Sequence, residues 1–145
     1  EIGVRLVGSE MCIRDRPGFP CKPVEKHCMG MYVDGQWYHL KAWPDIYDKK
    51  DVVGQLDVSI LQEKVLRPVL GIEDPRTDQR ISFVGGSHKA AELAEIADRT
   101  GGVAFVMYPT SMEDLMKIAD ENKLMPPKST WFEPKLRSGL FIHKL

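Results

Sequence analysis

Lys128, Ser129 and Thr130 stand side by side in the stretch MPPKSTWFEPKLRSGL (125–140), and Lys135 and Arg137 follow a few residues later. Pro126, Pro127 and Pro134 fix φ and withhold backbone donors, so the segment is extended and stiff. A stiff segment loses little freedom when it binds. Its chemistry is that of anion recognition. Lys128 or Lys135 can neutralise a phosphate as a point charge, Arg137 can clamp one through two nitrogens, and Ser129 or Thr130 can donate hydrogen bonds. Trp131 and Phe132 offer faces on which a base can stack. The alternative is that the aromatics bury themselves on a sheet and the lysines are merely solvated.

Other groupings are weaker. Gly85 and Gly86 stand where a strand should turn into a helix, so backbone amides there could hold a phosphate, with Ser87 and Lys89 assisting. The run matches neither a Walker A loop nor a GxGxxG fingerprint. A tight glycine turn with Ser87 as N-cap is the competing reading, and His88, without an adjacent acid, reads as a surface histidine. Cys21, His27 and Cys28 lack the paired spacing of a metal site, so no metal is expected from them. Glu73, Asp74 and Asp78 could hold Mg²⁺ beside substrate phosphates, against a default of solvated acidic turns. His39 and His143 fall in strands and read as structural.

The elements that would position these groups alternate. Gly30 to Val33 and Trp37 to Trp43 flank Asp34-Gly35, a hairpin signal, with Tyr32, Trp37, Tyr38 and Trp43 supplying aromatic area. Asp57 is a candidate N-cap for a helix striped by Val58, Leu61, Val65 and Val69, with Leu56 and Leu61 as a hydrophobic staple. Gly71 stops it. Arg80 to Val84 reads as a strand, and 88–99 as a helix whose face is Ala90, Leu93, Ala94 and Ala97. Val103 to Tyr108 is apolar enough to be buried on both faces. Thr110 and Glu113 form a capping box for a helix with the stripe Met112, Leu115, Met116 and Ala119. Gly139 to Lys144 is the last strand. The expected fold class is α/β: a mixed sheet with an early β-hairpin, then helix and strand-helix-strand-helix-strand.

With 145 residues, 43% of them hydrophobic, the chain suits one globular core. Twenty basic and twenty-one acidic side chains give a net charge of -1, which offers nucleic acid no electrostatic invitation. No apolar run is long enough to span a bilayer. Three cysteines in the first fifth of the chain form no disulfide framework and fit a reducing, cytoplasmic setting.

EIGVRLVGSEMCIRDR (1–16) resembles translated sequencing-adapter read-through and is set aside from fold reasoning, the alternative being a native strand around Ile2 to Val7. Residues 17–145 then form the C-terminal part of a larger domain whose N-terminal part is missing.

LRPVLGIEDPRTDQRISFVGG, AFVMYPTSMEDLMKIAD and MPPKSTWFEPKLRSGLF resemble the C-terminal part of the domain-of-unknown-function family 1015, over about residues 27 to 145. The hairpin with Trp37 and Tyr38 and the run DVSILQEKVLRPVLGI match as well. One departure is Ser87-His88-Lys89, where the family continues from its glycines with an Ile-Arg-Gly-like segment. The resemblance implies an upstream part with His-Glu and Gly-His-His-Arg strings, similar to ParB-like folds that include nucleotide-dependent serine kinases. Neither string occurs here.

By that analogy the chain would be the C-terminal part of a small-molecule phosphotransferase using ATP or ADP with Mg²⁺, with catalytic residues upstream. It would contribute phosphate or substrate contacts through Lys128, Ser129, Thr130 and Lys135, a role that suits a reaction governed by positioning and charge. Its partners would be a small-molecule or nucleotide ligand and the missing N-terminal part, without nucleic acid or membrane. The alternatives are a non-catalytic nucleotide- or metabolite-binding module and a structural segment whose loop wedges the sheet against that missing part.

Overall fold

The computed structural model describes residues 11–15, 22–86 and 88–130. It is a mixed α/β fold built on a four-stranded sheet in the order β1-β3-β2-β4, where β1 is Met11–Asp15, β2 Cys28–Val33, β3 Gln36–Ala42 and β4 Ala104–Met107. All three pairings are antiparallel. The hairpin forms as the sequence predicts. Asp34 and Gly35 both take positive φ, 49° and 78°, the geometry of a two-residue type I′ turn, and Val33 pairs with Gln36 across it. Tyr32 and Trp37 sit opposite each other with ring centroids 5.1 Å apart. The edge strand β1 comes from the segment that resembles adapter sequence and pairs Met11 to Asp15 with Ala42 to Tyr38.

Strand alternation sorts the two faces of the sheet. Met29 and Met31 of β2 and Leu40 and Ala42 of β3 are buried on one face together with Ile60, Leu61, Val65, Leu66 and Ile72, and Phe105 and Met107 of β4 pack against that cluster. Tyr32 points to the other face, where its hydroxyl donates to both carboxylate oxygens of Asp98 at 2.9 and 2.8 Å. Asp98 belongs to α2 (Ala90–Thr100), which lies against β2 and β4. Gly101 closes α2 at φ 64°, with its amide on Ala97 and the next amide also returning to Ala97.

The first helix departs from its predicted stripe. It runs as α1 (Asp57–Leu61) and then widens into a π-turn over Gln62–Leu66, where Arg67 donates back to Gln62. The wider turn brings Ile60 and Leu66 into the core with Leu61 and Val65, and leaves Val69 exposed. Leu56, not Asp57, occupies the N-cap, and no side chain caps it.

Three further expectations are corrected. Residues 81–85 are coil rather than strand, with Phe83 and Val84 exposed and the Ile81 amide returned to the Asp78 carbonyl. Arg80 pairs with Asp78 and donates to the carbonyls of Leu70 and Gly71. β4 is only half-buried, since it pairs with β2 alone among the described residues. Helix α3 (Met112–Asp120) turns a different face inward: Asp114 and Ile118 are buried, while Met112 and Met116 are 64% and 61% exposed. Its capping box is Ser111–Asp114, one residue later than the predicted Thr110–Glu113. The expected last strand, 139–144, lies outside the described residues. Among those described, no helix is long and apolar enough to cross a membrane.

Candidate functional site

The turn before β2 brings together several polar groups from separate stretches. His27 takes a positive φ of 64°, unusual for a residue with a side chain, and its carbonyl closes the sheet by accepting from Ala42 at 2.8 Å. In that conformation its amide donates to Oδ1 of Asp57 at 2.9 Å. Nδ1 of the same histidine is buried 3.1 Å from the same oxygen without making a hydrogen bond to it. The ring stacks on Tyr47 with centroids 4.4 Å apart. Beside it, Lys26 reaches Oδ1 of Asp114 at 2.7 Å, while Oδ2 of Asp114 accepts from the Ser111 hydroxyl at 2.6 Å.

Lys26, His27, Asp57 and Asp114 wall a cavity of about 40 Å³, together with Gln55, Tyr108 and Thr110. One centre position of a water needs roughly 10–15 Å³, so the space has room for a small polar group. Burial pushes the Asp57 carboxyl above its ordinary value, against the opposing pull of His27 and Lys26. Burial alone would raise Asp114 too, but the Lys26 ammonium and the Ser111 hydroxyl outweigh it and hold that carboxyl low. The cavity walls thus hold one ammonium, two carboxylates and an imidazole.

The predicted anion loop adjoins this cavity. Ser129 donates its hydroxyl to the Pro126 carbonyl at 2.6 Å, and its own carbonyl accepts from the hydroxyl of Thr110, a cavity wall, at 3.1 Å. Lys128 between them adopts φ 59° and is exposed, with no ion pair among the described residues. Ser129 is therefore the staple of the described part of the loop, and Thr130 beside it is exposed. Lys135 and Arg137 lie outside the described residues, as do Trp131 and Phe132.

Gly85 and Gly86 form a turn closed by His88 donating to Gly85 at 3.1 Å. They do not start the helix: α2 begins at Ala90, with Lys89 as an N-cap lacking a side-chain bond. Ser87 lies outside the described residues. His88 has a partner four residues on, with Nδ1 2.6 Å from Glu92 on an exposed face. The acidic connector is spent on arginines: Asp74 on Arg76, Asp78 on Arg80, and Glu73 on Arg67. The Arg76 guanidinium holds the Asp74 carboxyl down at about 2. Among the described residues no group of His, Cys, Asp or Glu is arranged to hold a metal ion. Cys28 is buried with a free thiol, and Cys21 lies outside the described residues.

The sequence reading missed Lys26, Asp57 and Asp114 as neighbours. Their contacts join residues 88 and 30 positions apart, and Asp57 and Thr110 each looked like a helix cap instead. Comparison of the chain with protein-family models, curated proteins and solved structures finds no match.

Proposed function

We propose that the protein takes part in phosphoryl transfer to a small hydroxyl-bearing molecule, with serine as the first candidate acceptor and ATP or ADP with Mg²⁺ as donor. The observation that carries the reading is Lys128: an exposed ammonium with no ion pair among the described residues, on a backbone at positive φ, with the next residue, Ser129, bonded through both its hydroxyl and its carbonyl. A backbone held in this way presents the lysine stem at a defined place, so a phosphate meets it with less ordering of the loop. Thr130 adds an exposed hydroxyl, and Lys135 and Arg137 follow in sequence. The sequence resemblance supplies the nucleotide and the acceptor class by analogy. A cytoplasmic setting goes with this reading.

The test uses the natural protein that contains this chain, incubated with Mg²⁺, ATP or ADP, and serine, with ³¹P NMR to detect phosphoserine. Product that is lost in Lys128→Ala, with an unchanged melting temperature, is the expected result. Absence of product from the wild type, together with no ligand-dependent shift in melting temperature, would overturn it for these ligands. Ligand-induced stabilisation without product would mark a non-catalytic binding module instead.

A further inference from the structure

We propose that the cavity at His27 is the proton-accepting subsite for the acceptor hydroxyl, with His27 as general base and Asp57 as the residue that positions it. This rests on the phosphoryl-transfer reading above and replaces its expectation that the catalytic residues all lie upstream. Nδ1 is buried against Asp57, which leaves Nε2 as the ring nitrogen available to an occupant. Asp57 accepts from the backbone amide and lies 3.1 Å from Nδ1 without a hydrogen bond to it, and Tyr47 stacks on the ring, so the turn and the packing orient the imidazole. A side-chain-bearing residue kept at φ 64° is strain retained by its surroundings, a pattern that concentrates at functional sites. The titratable groups beside the ring are Asp57 from α1, Lys26 from its own turn, Asp114 from α3 and Tyr108 in the cavity wall, with Tyr47 stacked on its face.

Size decides what enters. About 40 Å³ excludes a nucleotide and admits the hydroxyl end of a small molecule. The hydroxyl of Thr110, spent on the Ser129 carbonyl, still offers lone pairs, and that same bond ties the cavity wall to the residue after Lys128. In the step, the acceptor oxygen forms a bond to the terminal phosphorus as the bond to the leaving nucleotide oxygen breaks. The proton of the acceptor passes to Nε2, the imidazolium is stabilised by Asp57, and the proton then returns to solvent.

The test compares Asp57→Asn and His27→Gln in the natural protein. Asn retains an oxygen for the His27 amide, so its fold is checked by an unchanged melting temperature. The expected result is a kcat about 100-fold or more lower in both, with KM nearly constant, and loss of the acid limb of the pH–kcat profile in His27→Gln. Phosphoserine formed at wild-type rate by both variants would overturn the subsite and leave the functional reading standing. If the wild type forms no product, the functional reading fails separately, and ¹⁵N NMR of the His27 ring judges the subsite. A serine-dependent shift of Nε2 that Asp57→Asn removes would support it, and no shift would overturn it.

Discussion

One oxygen of Asp57 serves His27 twice, accepting its amide at 2.9 Å and facing its Nδ1 at 3.1 Å. The helix that begins at Asp57 is thereby fastened to the turn that begins β2, and its own N-terminus goes without a side-chain cap. The contact is made from a side chain only 11% exposed, so water cannot easily replace it.

Asp57→Ala should therefore lower stability by about 1–3 kcal/mol, since it leaves the His27 amide without an acceptor. Asp57→Asn should be nearly neutral at pH 7, because it keeps an oxygen and removes a buried charge. Urea unfolding of the two variants side by side checks this. Equal losses would show that charge, not the hydrogen bond, is what matters.

Asp57 and Asp114 should act on pH stability with opposite signs. The folded Asp57 carboxyl is raised, so the folded state holds its proton more tightly. Its contribution is full below the unfolded value of about 3.9 and is lost as pH rises through the raised folded value. Asp114 is lowered, so its contribution is present above about 3.9 and is lost as pH falls through the lower folded value. Asp114→Asn should flatten the acid limb of the stability curve, whereas Asp57→Asn should steepen it. Melting temperatures from pH 2 to 7 read both.

The face of α3 is testable by truncation. Ile118 is 1% exposed, and Ile118→Ala should cost about 2–5 kcal/mol. Met116→Ala, on the outward face, should stay within about 0.5 kcal/mol. Reversed values would restore the methionine stripe predicted from the sequence.

Cys28 should be inert while the protein is folded. Burial, then the neighbouring Glu25, pushes its thiol up to about 11, and its Sγ lies 3.5 Å from the Glu25 carboxylate. Iodoacetamide at pH 8 should leave Cys28 unmodified by peptide mass mapping until denaturant is added. Rapid labelling in the native state would contradict the burial.

The hairpin and α2 were legible because their signals are local: Asp-Gly at a type I′ turn, and Gly101 just past a periodic apolar face. What failed was settled at a distance. The stripe on α3 was a reasonable 3.6-residue pattern, but Lys26, 88 positions away, draws Asp114 inward and Ile118 with it. The strand predicted at 80–84 has β-forming residues, yet Arg80 is committed to carbonyls at the end of the preceding helix. The lysine–serine–threonine loop was visible as a stiff cationic segment. The cavity beside it was not, because its walls come from four separated stretches and two of its members resemble ordinary helix caps.

The π-turn at Gln62–Leu66 makes this chain sensitive to length rather than to composition. Ile60 and Leu61 reach the core, and so do Val65 and Leu66, five positions later. A turn of about 3.6 residues would carry the second pair well past the face of the first. Removing one exposed residue, such as Glu63, would let the helix relax to regular winding and space the pairs by four. A related chain one residue shorter here could thus keep the same four apolar side chains inward, so the site of an ancient insertion or deletion would be readable as a change in spacing alone.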